Sequence, residues 1–311
     1  MKRAALYAVA VALAAVVLVG CAKSNGDESA TITSLLAASG YTDDPHAVNY
    51  GANDTTLERP DSMTGTAASI QFIPPFVRFR RYIPASGVQR KVVVQIPADS
   101  GGPDSTALAT ITWTITGELR TCFDTTTHPI YVWRKPFTDV ATRKVYLEKY
   151  DGKWHIVKLS PLATATQNPA YHLNITNIHA VSRISHDTFD LSTTDTMLTK
   201  SQLPWFAPHD TVTVDVTVQS DGDSSWVFLH HGRLGVPHIW RRPMWKTGTW
   251  TFERTWLVSD ETYNQPVVRP SIHDAIGWGT LWGDSTKPYV AAAWGIPYIV
   301  RTPTDSTPAD E

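Results

Sequence analysis

The sequence predicts a mainly β protein: a first α+β unit built on a curved antiparallel sheet, followed by an antiparallel β-sandwich. Three observations predict it. Residues Thr110–Thr116 alternate strictly, with Ile111, Trp113 and Ile115 on one side and four threonines on the other. Residues Lys144–Leu159 read as two strands about Asp151-Gly152, a pair suited to a two-residue turn with positive φ at both positions. Val212, Val214, Val216 and Val218 repeat the alternation in the second half, where Thr249–Val258 puts Trp250, Phe252 and Trp256 on one face.

Length and composition bound the reading. A chain of 311 residues is long for one core, so two domains are expected, at 29–160 and 171–302. Residues 161–170, with Pro161, Pro169 and a run of Ala, Thr and Gln, are the expected linker, and 303–311 a polar tail. The formal net charge of -2 gives no reason to expect nucleic acid as a partner. With two cysteines, Cys21 and Cys122, no disulfide framework is expected if Cys21 is used elsewhere. Cys122 then reads as a buried bystander, a reactive thiol being the alternative.

The N-terminus has an export layout. Lys2 and Arg3 precede an apolar run from Ala4 to Val19, then small Gly20 and Cys21. Leu18-Val19-Gly20-Cys21 resembles the lipobox of bacterial lipoproteins. The resemblance implies a signal peptide over 1–20, cleavage before Cys21, a diacylglyceryl group on its thiol, and a lipid tether over 21–28. Loss of Lys2 and Arg3 would take the charge from -2 to -4. The apolar run is short for a transmembrane helix, the competing reading. Ala22 stands where many inner-membrane lipoproteins have Asp, so the family pattern implies the outer membrane in a two-membrane cell.

Ser29–Ser39 reads as a short amphipathic helix, with Ile32, Leu35 and Leu36 on one face, Asp27 and Glu28 at its positive end, and Gly40 ending it. Residues 41–66 read as a long irregular connection. Strands follow at Phe76–Tyr82 and Lys91–Ile96. In the first, Arg78, Arg80 and Arg81 are taken as a solvated face, or as a site for anionic envelope polymers. In the hairpin, a two-residue loop pairs Lys149 with Trp154, Glu148 with His155, Leu147 with Ile156 and Val145 with Lys158. That places Val145, Leu147, Trp154 and Ile156 on one apolar surface. A helix followed by long antiparallel strands that close on Tyr-Asp-Gly-Lys-Trp-His-Ile-Val resembles the cystatin-like and nuclear-transport-factor-like α+β folds. An Ig-like sandwich of these same strands is the alternative.

In the second half, strands are expected at His172–Val181, Thr211–Val218, Ser225–His230, Gly248–Val258 and Val290–Arg301. The spacing resembles an Ig-like or fibronectin-like module, without its paired cysteines. Asp221-Gly222-Asp223-Ser224 is expected to turn the Val218 strand back; a calcium loop would need a later acidic ligand that is missing.

No catalytic pattern is present: no Gly-x-Ser-x-Gly, no Ser-x-x-Lys and no Gly-rich phosphate loop. Of eleven histidines, His230, His231 and His238 are the densest group, but His230 and His231 would point to opposite faces of a strand. No metal or cofactor is therefore expected. Nine of the 12 tryptophans fall between Trp205 and Trp294. The segment 236–246, with Trp240, Arg241, Arg242 and Trp245, reads as a loop or irregular edge whose aromatics cover one end of the sandwich core, the alternative being an exposed site for a protein or glycan partner. The functional expectation is a lipid-anchored envelope protein of structural or protein-interaction role. Ligand or glycan capture is the alternative, and hydrolysis of an envelope polymer comes third.

Overall fold

The computed structural model describes residues 25–42, 77–97, 105–123, 131–222, 224–232, 239–258 and 266–302. The fold is mainly β, with a curved antiparallel half-barrel sheet and a second sheet. Helix α1 (Asn25–Ala38) precedes strands β1 (Val77–Tyr82), β2 (Val88–Gln95), β3 (Thr106–Phe123), β4 (Tyr131–Tyr150), β5 (Lys153–Leu159) and β6 (Leu162–Thr166). Then come β7 (Leu173–Ser182), β8 (Thr188–Leu191), β9 (Leu198–Thr199), β10 (Trp205–Phe206), β11 (Thr211–Ser220) and β12 (Ser225–Gly232). The chain ends through β13 (Ile239–Pro243), β14 (Trp245–Lys246), β15 (Thr251–Leu257), β16 (Val267–Gly277), the short helix α2 (Trp278–Trp282) and β17 (Ala291–Val300).

Among the described residues the large sheet has 12 strands, with the main path β1-β3-β4-β6-β17-β16-β12-β13. The second sheet runs β14-β15-β11-β7-β8. Strands expected in two separate units thus share one sheet. The join is β6, in the stretch expected to be a linker: it pairs with β4 on one side and β17 on the other. Leu162, Thr164 and Thr166 point inward and Ala163 and Ala165 outward, an alternation of small residues easily taken for a spacer.

Two cores lie on the two faces of β12, β16 and β17. Trp226, Phe228, Ile272, Ile276, Ala291 and Ala293 join the hollow of the large sheet with Ile111, Trp113, Ile115, Val145 and Leu147. Val227, Leu229, Ala275, Ala292 and Ile296 pack outward on Val212, Val214, Val216, Phe252 and Trp256 of the second sheet. The period-two alternation of these strands feeds both cores at once.

The hairpin β4–β5 has the expected turn, with φ of 50° at Asp151 and 75° at Gly152. Its register is as expected from Lys149↔Trp154 to Leu147↔Ile156, but a bulge follows, so Lys158 pairs with Tyr146 and Val145 with Leu159. The extra residue keeps Leu159 buried beside Val145. Strand β16 was not anticipated, because Pro270 interrupts it. Pro270 lies opposite Pro297 of β17, beyond the points where β12 and β6 stop pairing at Ser271 and Gly295, so no outer strand needs either missing N–H.

Helix α1 belongs to the body of the protein. Ile32 and Leu36 enter the main core, and Glu28 accepts hydrogen bonds from Lys149 Nζ at 2.7 Å and Trp154 Nε1 at 2.6 Å. Arg90 of β2 donates to the carbonyl of Leu36 at 3.2 Å, one of the orphan carbonyls of the helix end. Truncation of Leu36 to Ala should therefore cost about 2–5 kcal/mol of unfolding free energy in urea; a loss below about 0.5 kcal/mol, the scale of surface sites, would show that α1 is not part of the cooperative core.

Candidate functional site: a buried charge network at the seam of the half-barrel

The two end strands of the main path, β1 and β13, meet through side chains. Arg241 of β13 donates from Nη2 to the carbonyl of Phe79 in β1 at 2.7 Å, and its guanidinium lies 3.8 Å from the Phe79 ring centroid. That ring also meets Phe228 of β12 edge to face, with centroids 5.0 Å apart and planes at 69°. Two residues on, the inward face of β1 presents Arg81, which strand parity requires once Phe79 points inward. Arg81 bonds both oxygens of Asp274 in β16, at 2.5 Å and 2.9 Å.

From this pair the network runs deeper. Arg81 Nε donates to the Tyr289 hydroxyl at 2.8 Å, which donates to Asp139 Oδ2 of β4 at 2.8 Å. Thr166 of β6 lies 3.1 Å from Asp139 Oδ1 and accepts from the Ala291 N–H at 2.9 Å. His230 Nε2 of β12 is 3.2 Å from Asp274 Oδ2. Arg81 is 5 % exposed, Asp139 4 %, Asp274 1 % and His230 0 %. Strands from both halves of the sheet are thus tied by fixed, directional bonds among buried side chains.

Burial and pairing set the protonation states. Burial works against the carboxylate of Asp274, but the Arg81 guanidinium and the hydrogen bonds from His230 and Arg81 outweigh it and hold its pKa well below the usual range. Burial opposes the Arg81 charge too, yet Asp274 keeps its pKa above the ordinary value. Burial pushes the Asp139 carboxyl up to about 6, against the pull of Arg81, Tyr289 and Thr166. Burial likewise raises the Tyr289 hydroxyl and lowers His230, despite the Asp274 bond. Both carboxylates spend their oxygens on protein donors, an arrangement that holds strands together.

A further buried cation lies in register with Arg81 across Leu119 of β3. Lys135 of β4 donates to the carbonyls of Gly279, Thr280 and Gly283 at 2.7, 2.7 and 2.8 Å, capping the C-terminal end of α2. Burial lowers its pKa to about 8.

The residues singled out from sequence fall as follows. Cys21 and His238 lie outside the described residues, as do the side chains of Arg78, Cys122 and Trp240. Arg81, expected on a solvated face with Arg78 and Arg80, is instead buried and ion-paired. The segment expected to be a loop or irregular edge contains β13, the end strand of the large sheet, and β14, and carries the chain from the large sheet to the second one. Arg241 is engaged at the seam, Arg242 and Trp245 are half-buried, and Met244 between them is fully buried. His230 and His231 do face opposite ways, toward Asp274 and toward Trp256. Among the described residues no group of three or more His, Cys, Asp and Glu is placed to hold a metal ion. Asp274, Asp139 and Tyr289 were not anticipated; the one signal available was Asp274 flanked by apolar Ile272 and Ile276 at same-face positions.

No family model, curated protein or solved structure matches this chain.

Two outcomes test the network. Asp274→Ala leaves Arg81 buried without its counter-ion and should cost about 3–5 kcal/mol, while the pair Arg81→Met with Asp274→Leu should recover most of that loss; equal losses for both variants in urea unfolding would contradict a charge-based seam. For Asp139 the folded pKa near 6 exceeds the unfolded value near 3.8, so its contribution is fully present below about pH 4 and is lost as pH rises through 6. Relative to Asp139→Asn, the wild type should gain on the order of 3 kcal/mol as pH falls across that window, and parallel melting profiles for the two proteins would rule the linkage out.

Proposed function

We propose that this chain is a lipid-anchored protein of the bacterial cell envelope with a structural or protein-interaction role. The carrying observation is the order Lys2-Arg3, apolar run, Leu18-Val19-Gly20-Cys21. Two or more acyl chains on Cys21 give stable attachment without any membrane-seeking surface elsewhere. The outer membrane is the destination in a two-membrane cell, from Ala22. The packed hollow of the large sheet supports a non-enzymatic reading, because its charged groups are engaged with one another and with backbone. Within the same reading, the second sheet with β12, β16 and β17 is an Ig-like sandwich. The cystatin-like resemblance rests on the β4–β5 hairpin.

Glycan or ligand capture is the second reading. With Arg241 held at the seam, it rests on half-buried Arg242 and Trp245, together with Trp240. A glycan array separates the two readings, since only the second requires a discrete ligand.

Metabolic labelling with palmitate should mark the wild-type protein and leave Cys21→Ser unmarked, with the variant lost from the membrane fraction. An unmarked wild type, or unchanged fractionation of the variant, would overturn the proposal.

A further inference from the structure

We infer that the protein stands on the bilayer with the tip of the β4–β5 hairpin against the lipid headgroups. This rests on acylation of Cys21. Three residues separate Cys21 from the start of α1 at Asn25, a span of at most about 14 Å. Glu28 lies one helical turn further, about 5 Å along the axis. Its carboxylate holds the hairpin tip directly, through Lys149 and Trp154 at 2.7 and 2.6 Å. With the cysteine, glutamate and lysine side chains added, the tip is therefore confined to within roughly 35–40 Å of the lipidated sulfur, whatever path the intervening residues take.

The chemistry of the tip suits that position. Tyr150 is 49 % exposed and stacks on His155, with ring centroids 3.7 Å apart. Lys153 is exposed and stands opposite Tyr150 in the hairpin register. Lys158 lies over the Tyr146 ring at 5.8 Å. Lysine and tyrosine at one end of a body are the residues that settle at headgroup level, with apolar stems inward and polar ends in water. Asp151 at the turn and Glu148 offset part of the charge, and Lys149 is committed to Glu28. The short covalent span does most of the orienting, and the tip supplies a compatible surface.

The same strand provides a ruler. Val132, 47 % exposed, lies 18 residues before Tyr150 on β4, up to about 60 Å away along the strand.

The test uses full-length acylated protein in vesicles of phosphatidylethanolamine and phosphatidylglycerol. A fluorophore is placed at Lys153→Cys or Val132→Cys, each in a Cys122→Ser background and each verified by its thermal unfolding. Headgroup-nitroxide lipid should quench the label at 153 several-fold more than the label at 132. Protein that floats with the vesicles yet shows equal quenching, or stronger quenching at 132, overturns the orientation and leaves the anchor standing. Protein that fails to float and carries an unmodified Cys21 overturns both.

Discussion

The ion pair between Arg81 and Asp274 is the constraint on which this fold turns. A sheet this curved leaves two end strands whose backbone groups do not pair with one another, and the protein closes the gap with side chains. Taking a guanidinium and a carboxylate out of water costs several kcal/mol each, and only close, doubly bonded geometry offsets it. Here the geometry is bidentate, and the remaining donors and acceptors are passed on through Tyr289, Asp139, Thr166 and His230 to β4, β6 and β12. The direct gain in stability is small beside the penalty for any other arrangement. Sliding β1 along β3 by one residue would turn Arg81 outward and leave Asp274 buried alone. The pair therefore fixes register as much as it holds strands.

Because β12, β16 and β17 serve both cores, the two sheets are not independent. A cavity opened under the second sheet loosens strands that also wall the hollow, so the body should lose structure as one unit. The ties that close the large sheet are far apart in sequence, β1 to β16 through Arg81 and Asp274 and β6 to β17 by strand pairing, so much loop entropy must be lost before those contacts form. A chain that folds this way depends on specific packing and on the network to choose its pairing.

Local patterns were legible in the sequence and long-range choices were not. The alternation of Ile111, Trp113 and Ile115, the Asp151-Gly152 turn, and the valines of β11 each carry their structure in neighbouring residues, and the structure has them there. Helix α1 was visible from Ile32 and Leu36, although it starts four residues earlier than its apolar face requires. The candidate site was largely invisible. Arg81 looked like part of a basic stripe because Arg78 and Arg80 precede it, and only the inward position of Phe79 reveals its parity. Asp274 sits in a strand disguised by Pro270. Strand β6 is made of residues small enough to look like a linker, and nothing local says that a partner waits on each side. The segment 236–246 lacks a period and so reads as a loop or irregular edge; it forms the end strand β13 and then crosses between the sheets, with Met244 buried at the crossing.

Native-state hydrogen exchange followed by mass spectrometry tests the side-chain closure most directly. If charged side chains lock β1 onto β13 and β16, the amides of β1 should exchange only with the global opening that frees β3 and β4. Exchange of β1 through a local opening, at a far lower free energy than its neighbour β3, would show that the seam is not closed and that the network does not hold the fold.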